Sequence, residues 1–254
     1  MQNLVPRQFT PRRISGCTLW LDACDFSTLY QTTDTSTPIE LLSNAGRWES
    51  KDGSGRVVTQ SSAGRRMVYS NPTGAPAGVP ALTCGGATGV SSDQFDSSLA
   101  LTDLLGTAEA TIFLVVRSTA AGGILGDSTG TNLRVWWNSN TQISATLYNG
   151  SGGESTVASG TVALSTKYIV CVRRTASVLA ISINGGAETT LATSGNLSLG
   201  SATLTVPDRN GATKALGWSG DVAIFNRSLG ANDRNRLGRW LASKWEINWV
   251  TQVA

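Results

Sequence analysis

Apolar positions along this chain fall into a few distinct patterns, and each predicts an element. Near the end, Val222, Ile224 and Phe225 make a short run containing β-branched residues, whereas Leu237, Trp240, Leu241 and Trp245 recur at i, i+3, i+4 and i+8, the spacing of one helical face. A buried strand followed by a short amphipathic helix is expected there. Gly230 occupies the capping position and Asp233 lies three residues on, a weakened capping box whose cap has no side-chain acceptor. Thr111-Ile112-Phe113-Leu114-Val115-Val116-Arg117 is apolar at consecutive positions, so it presents apolar side chains to both faces and reads as a central strand. Two alternating stretches read as hairpins. One joins Asn132–Trp137 to Gln142–Tyr148 around Asn138-Ser139-Asn140; the other joins Tyr168–Arg173 to Val178–Ile183, after which Asn184-Gly185-Gly186 turns the chain again. The segment opening at Gly16 predicts a first strand with Leu19 and Leu21 on one face and Trp20 on the other, and shorter strands are expected through Leu199, Leu204 and Val206.

Between these elements the chain is turn-rich. Asp52-Gly53-Ser54-Gly55 is a clear turn, and the loop from Asn71 to Pro80, with Pro72 and Pro76 inside it, rules out a central strand. Residues 1–14 carry Pro6 and Pro11 with Arg7, Arg12 and Arg13, and are expected to form an extended basic arm suited to docking on a neighbouring subunit.

Composition supports a β-rich chain. With 254 residues, 28 Gly and only 15% charged residues, it suits many short strands joined by turns. The net charge of +3 gives no reason to expect nucleic acid as a partner. Sixteen of the 20 basic residues are Arg, which favours planar contacts to carboxylates and aromatics at a binding surface. The first dozen residues lack the apolar core of a secretory signal, and no apolar run approaches the roughly 18 residues of a membrane span, so neither export by the usual route nor a membrane partner is expected. There is no His, and Cys17, Cys24, Cys84 and Cys171 have no CxxC spacing, which excludes a Cys/His zinc site. Free buried thiols are the first expectation for them; a Cys17–Cys24 disulfide or an intermolecular bridge are the alternatives.

The two ends of the chain resemble a known family. Gly16-Cys17-Thr18-Leu19-Trp20-Leu21-Asp22-Ala23 is similar to the opening, and Gly217, Asp221, Phe225, Asn226, Arg227, Leu229, Trp240, Leu241, Ala242, Lys244 and Trp245 to the close, of laminin-G-like members of the concanavalin-A-like lectin/glucanase superfamily. The loop Trp48–Gly55 is similar to a turn of the same family. The resemblance spans residues 15 to about 248. It implies an all-β, concanavalin-like jelly-roll sandwich of two antiparallel sheets with a short C-terminal helix, residues 15–254 forming one domain behind the arm of residues 1–14. A shared sandwich does not itself assign a function.

Catalytic chemistry finds no footing. A hydrolase of the glucanase branch requires paired carboxylates in a Glu-x-Asp-x-Glu strand, which does not occur, and without His there is no ordinary Ser-His-Asp or Cys-His arrangement. Binding is better placed. If Leu133, Val135 and Trp137 face the core, then Asn132, Arg134 and Trp136 face outward, and Ser144, Thr146 and Tyr148 do so across the turn. Asn132, Arg134, Trp136 and Tyr148 are therefore expected to form an exposed aromatic and guanidinium platform for a sugar ring or a protein. Calcium is the cofactor the resemblance implies, with Asp127 and Asp208 as candidate ligands in rim loops, beside a further loop from Asp93 to Asp96; ordinary turn residues are the alternative. Asp221 is expected to be structural, paired with an Arg or with turn backbone. The expectation for the whole chain is a non-enzymatic structural and adhesive virion protein, a capsid decoration or fibre-associated subunit that is oligomeric in its assembly and contacts other capsid proteins or glycans. A calcium-assisted carbohydrate-binding module of a bacterial surface protein is the alternative.

Overall fold

The structure, a computed structural model, describes residues 9–85, 93–148, 156–207 and 215–253. In chain order the strands are β1 (Cys17–Asp22), β2 (Leu29–Tyr30), β3 (Asn44–Ala45), β4 (Arg47–Glu49), β5 (Val57–Thr59), β6 (Met67–Ser70), β7 (Ala81–Cys84), β8 (Phe95–Ala100), β9 (Ala110–Ser118), β10 (Gly122–Asp127), β11 (Leu133–Ser139), β12 (Gln142–Leu147), β13 (Thr156–Ala158), β14 (Lys167–Arg174), β15 (Val178–Ile183), β16 (Thr189–Ala192), β17 (Thr203–Val206) and β18 (Gly217–Phe225). A single helical turn, α1 (Leu101–Leu104), follows β8, and the longer helix α2 (Ala231–Trp245) follows β18. The strands form two antiparallel sheets of nine. One runs β16-β15-β14-β9-β18-β7-β6-β3, with β1 also beside β18; the other runs β13-β12-β11-β10-β17-β8-β5-β4-β2. This is a jelly-roll sandwich.

Alternation along the strands explains why the first sheet is apolar on both sides. Ile112, Leu114 and Val116 of β9, Val170 and Val172 of β14, and Val222 and Ile224 of β18 enter the inter-sheet core, where they meet Trp48, Phe95, Val135, Trp137, Ile143 and Leu147 of the second sheet. The intervening residues Phe113, Val115, Ile169, Cys171, Ala223 and Phe225 point the other way and pack under Leu237, Leu241 and Trp245 of α2. Each fully buried large side chain stabilises the fold by about 1.5–3 kcal/mol, so α2 is held by its buried face, as a helix of this length requires. Two glycines make its seat. A Cβ on Gly220 would stand 2.3 Å from the Trp245 ring, and one on Gly238 would stand 2.3 Å from the ring of Trp249, which folds back across the helix. As the sequence implied, Gly230 caps α2 without a side-chain hydrogen bond, and Asp233 in its first turn pairs with Arg227 at 2.7 Å.

Residues 9–14 depart from the expected extended arm. Phe9 packs edge-on against Trp240 at 6.1 Å under the Arg236 guanidinium, Pro11–Arg13 form a 3-10 turn, and Pro11 and Ile14 are buried against the helix layer. Arg12 and Arg13 lie on the exposed side of that turn. Apolar burial overrides the extended preference of a proline-containing segment, because Phe9 and Ile14 find a ready surface. Arg7 lies outside the described residues. All four cysteines are free thiols. Among the described residues no helix is long and apolar enough to cross a membrane.

Candidate functional site

The first hairpin forms with the expected faces: Leu133, Val135 and Trp137 enter the core, and Arg134 and Trp136 lie on the outer side of the second sheet, paired with Thr146 and Ser144 of β12. Its exposure differs from expectation. Trp136 is only 6% exposed and its indole N–H donates to Asn138 Oδ1 at 3.3 Å, so it offers no open stacking platform. Asn132, Arg134 and Tyr148 are half-buried, and the Tyr148 amide closes the hairpin base by donating to the Asn132 carbonyl at 2.9 Å. The face is set by strand period alone, whereas exposure depends on everything laid across that face.

Around this hairpin the register assembles a larger feature. Residues directly opposite one another on neighbouring strands point the same way, and one such row crosses the whole second sheet: Tyr30, Arg47, Thr59, Asp96, Thr205, Gly126, Arg134, Thr146 and Thr156. Every side chain in it is polar except that of Gly126, which is itself buried between Thr205 and Arg134. The row is open at Asp96 and Thr156 and closed at Thr205 and Thr146. Most of its polar atoms are engaged: Thr146 and Thr156 share a hydroxyl contact of 2.7 Å, Gln60 and Gln94 donate to Asp96, and Arg134 donates through Nε to the Gly130 carbonyl. One is not: the Thr205 hydroxyl is buried with no hydrogen-bonding partner, as is that of Ser144, which lies off the row beside Trp136. Leaving such a group unsatisfied costs about 1–3 kcal/mol. No local motif marks Thr59, Asp96 or Thr205 in the sequence, because strands widely separated along the chain become neighbours only through topology.

The candidate calcium loops are built otherwise. Asp127 is fully buried; one carboxylate oxygen accepts from the amides of Thr129 and Gly130 at 2.8 and 2.9 Å, and the other from Asn132 and Leu133 at 2.9 and 2.6 Å. Donors cover both oxygens, so Asp127 organises the β10–β11 loop and is not disposed to ligate a cation. Asp93 likewise accepts from the Gly85 amide at 3.0 Å. Asp208 lies outside the described residues. Among the described residues no cluster of three or more metal-ligating side chains is present.

A second polar assembly lies under α2. Asp22 and Asp221 face each other across β1 and β18, and Lys244 from α2 reaches both, at 2.5 Å to Asp22 Oδ1 and 2.8 Å to Asp221 Oδ2. Lys51 closes the far side of Asp22 at 3.1 Å, and the indoles of Trp20 and Trp245 donate to Asp221 at 3.2 and 2.6 Å. The partners of Asp221 are thus a lysine and two indoles, not the expected Arg or turn backbone. Burial pushes Asp221 above the ordinary carboxylate range. Burial works against the charge of Lys244 too, but Asp221 and Asp22 hold it above the usual lysine value. Two close carboxylates are what a glycosidase requires, yet these are 1% and 5% exposed and leave no groove for a sugar.

No family model matches the sequence, and no curated protein matches it. Solved structures do. The receptor-binding domain of botulinum neurotoxin type G superposes with a TM-score of 0.61 at 12% identity, over 89% of this chain and 51% of its own. That of the C/D mosaic serotype gives 0.57 at 11% identity, over 88% and 51%. The binding domain of botulinum neurotoxin DC, solved in complex with rat synaptotagmin II, gives 0.53 at 13% identity, over 91% and 52%. The chain spans about half the length of these structures. At such identity the likeness is one of fold, and that fold is the jelly-roll β-sandwich.

Proposed function

We propose that the chain is a non-enzymatic recognition module of the laminin-G-like kind, a decoration or fibre-associated subunit of a virion that takes a glycan or a protein partner on the outer face of its second sheet. The observation that carries the binding role is the polar row across that sheet, which opens to solvent at Asp96 and Thr156. A ligand bearing hydroxyls or amides would donate to the Asp96 carboxylate and pair with the Thr156 hydroxyl, while Arg134, Asn132 and Tyr148 border the same face. The structural neighbours support the reading, being receptor-binding domains themselves, one solved with a protein partner. The Arg-rich surface supports contact with other proteins of a particle.

The test separates recognition from folding. Thr156→Val removes one exposed hydroxyl at nearly constant shape; the free protein loses its contact with Thr146, worth about 1 kcal/mol, whereas loss of a ligand hydrogen bond costs about 1 kcal/mol of binding, or roughly fivefold in affinity. A glycan array and a pull-down from purified particles identify the ligand, and titration of the variant should then show weakened binding by a protein that keeps its cooperative unfolding transition. Undiminished binding to the variant would place the ligand elsewhere. Electron microscopy of the native source addresses display: density for the chain at fixed, symmetric particle positions is expected, and a free monomer would remove the virion assignment.

A further inference from the structure

Lys244, Asp221 and Asp22 take no part in the recognition face, and their arrangement is that of an acyl transfer. Lys244 Nζ stands 3.0 and 2.8 Å from the two oxygens of Asp221. Each of those oxygens also accepts an indole N–H, Oδ1 from Trp20 and Oδ2 from Trp245. Asp22, 2.5 Å from the same Nζ and steadied by Lys51, is a second carboxylate placed to carry protons. Aromatic rings wall the amine, with Trp240 and Trp245 centroids 5.2 and 5.7 Å away. We propose that Lys244 and Asp221 condense to an intramolecular amide, a covalent cross-link between β18 and α2 formed by the chain itself.

The step balances without any co-reactant. One proton passes from the Lys244 ammonium through Asp22 to Asp221, giving a minor population of neutral amine beside neutral carboxylic acid; burial favours the neutral Asp221 carboxyl, while the two carboxylates favour the ammonium and make this step slow. The Nζ lone pair then forms the N–C bond to Asp221 Cγ while the carbonyl π pair moves onto oxygen, where the indole N–H groups stabilise it. Asp22 takes the second amine proton and delivers it to the hydroxyl, which leaves as water as the C–O bond breaks. In bulk water the reverse reaction would dominate. Here amine and carboxyl are held together, equivalent to an effective concentration on the order of 10⁵–10⁸ M, and the departing water leaves a site that is 1% exposed at Asp221.

Mass spectrometry of the purified full chain decides the matter. The folded protein, denatured only for measurement, should be lighter than its sequence by one water. Trypsin should fail to cut after Lys244 and release residues 240–254 joined to residues 215–227. Lys244→Arg, which keeps the cation but not the amine, should show the full sequence mass, and Asp22→Asn should show it for most molecules. A wild-type chain of full mass, cut normally after Lys244 following prolonged incubation at neutral pH, would overturn the proposal, and undiminished condensation in Asp22→Asn would remove Asp22 as the proton carrier.

Discussion

Glu188 receives two guanidinium groups. Arg173 grips it with Nε at 2.9 Å and a terminal nitrogen at 2.5 Å, and Arg234 approaches to 3.6 Å. Burial alone would raise the Glu188 carboxyl, but the arginines outweigh it and hold it below its ordinary 4.5. A depressed folded value means that the native state binds fewer protons than the unfolded chain. The stabilisation is therefore fully present above pH 4.5 and is lost as pH falls through the lower folded value. Glu188→Gln should destabilise the protein by about 2 kcal/mol at neutral pH and flatten the acid limb of a urea-denaturation series. The thiols behave in the opposite sense. Burial, the largest cause at each, pushes Cys17, Cys24 and Cys171 up from 9.0 to about 12. Their contribution to stability is present below pH 9 and disappears as pH rises through 12. At pH 8 that three-unit rise makes each thiolate roughly a thousandfold scarcer than in the unfolded chain, so iodoacetamide should label these cysteines quickly in urea and hardly at all in buffer. A Cys17–Cys24 disulfide would leave those two unlabelled in either.

At the scale of elements, α2 shows what period can and cannot convey. Leu237, Leu241 and Trp245 announce its buried face, and both the helix and the two-faced strand β9 follow from spacing alone. The turn at Phe9–Ile14 does not, because its partner Trp240 lies far along the chain and Pro6 and Pro11 argue locally for extension. Trp136 illustrates a related limit: alternation places it on the outer face but says nothing of what else crosses that face. Gly238 offers a sharp test of tertiary over local preference. In an exposed helix Gly→Ala stabilises by about 1 kcal/mol. Here the new Cβ would collide with Trp249, which also donates its indole N–H to Asn235 at 3.2 Å, so Gly238→Ala should instead destabilise by about 1–3 kcal/mol, read by chemical denaturation. An unchanged or higher midpoint would mean that Trp249 is not seated there.

For the whole molecule, the order in which strands are made differs from the order in which they lie. β18, the last strand in sequence, sits in the middle of its sheet, with β9 on one flank and both β7 and β1 on the other. The sandwich was legible from its two ends for this reason, since Gly16–Ala23 and Gly217–Leu229 are neighbours in space and carry the same apolar alternation. The polar row on the other sheet was not, since it draws on strands scattered through the chain. During synthesis, β1 to β17 are all made before the strand that joins the flanks exists, so β9 waits with a long unpaired apolar edge. Such long-range pairing closes slowly, and its precursors are prone to aggregate. A chain truncated after Leu216 should therefore be captured by chaperones and precipitate without them, whereas residues 1–254 should remain soluble. The sheet is committed to remaining unfinished until β18 is added.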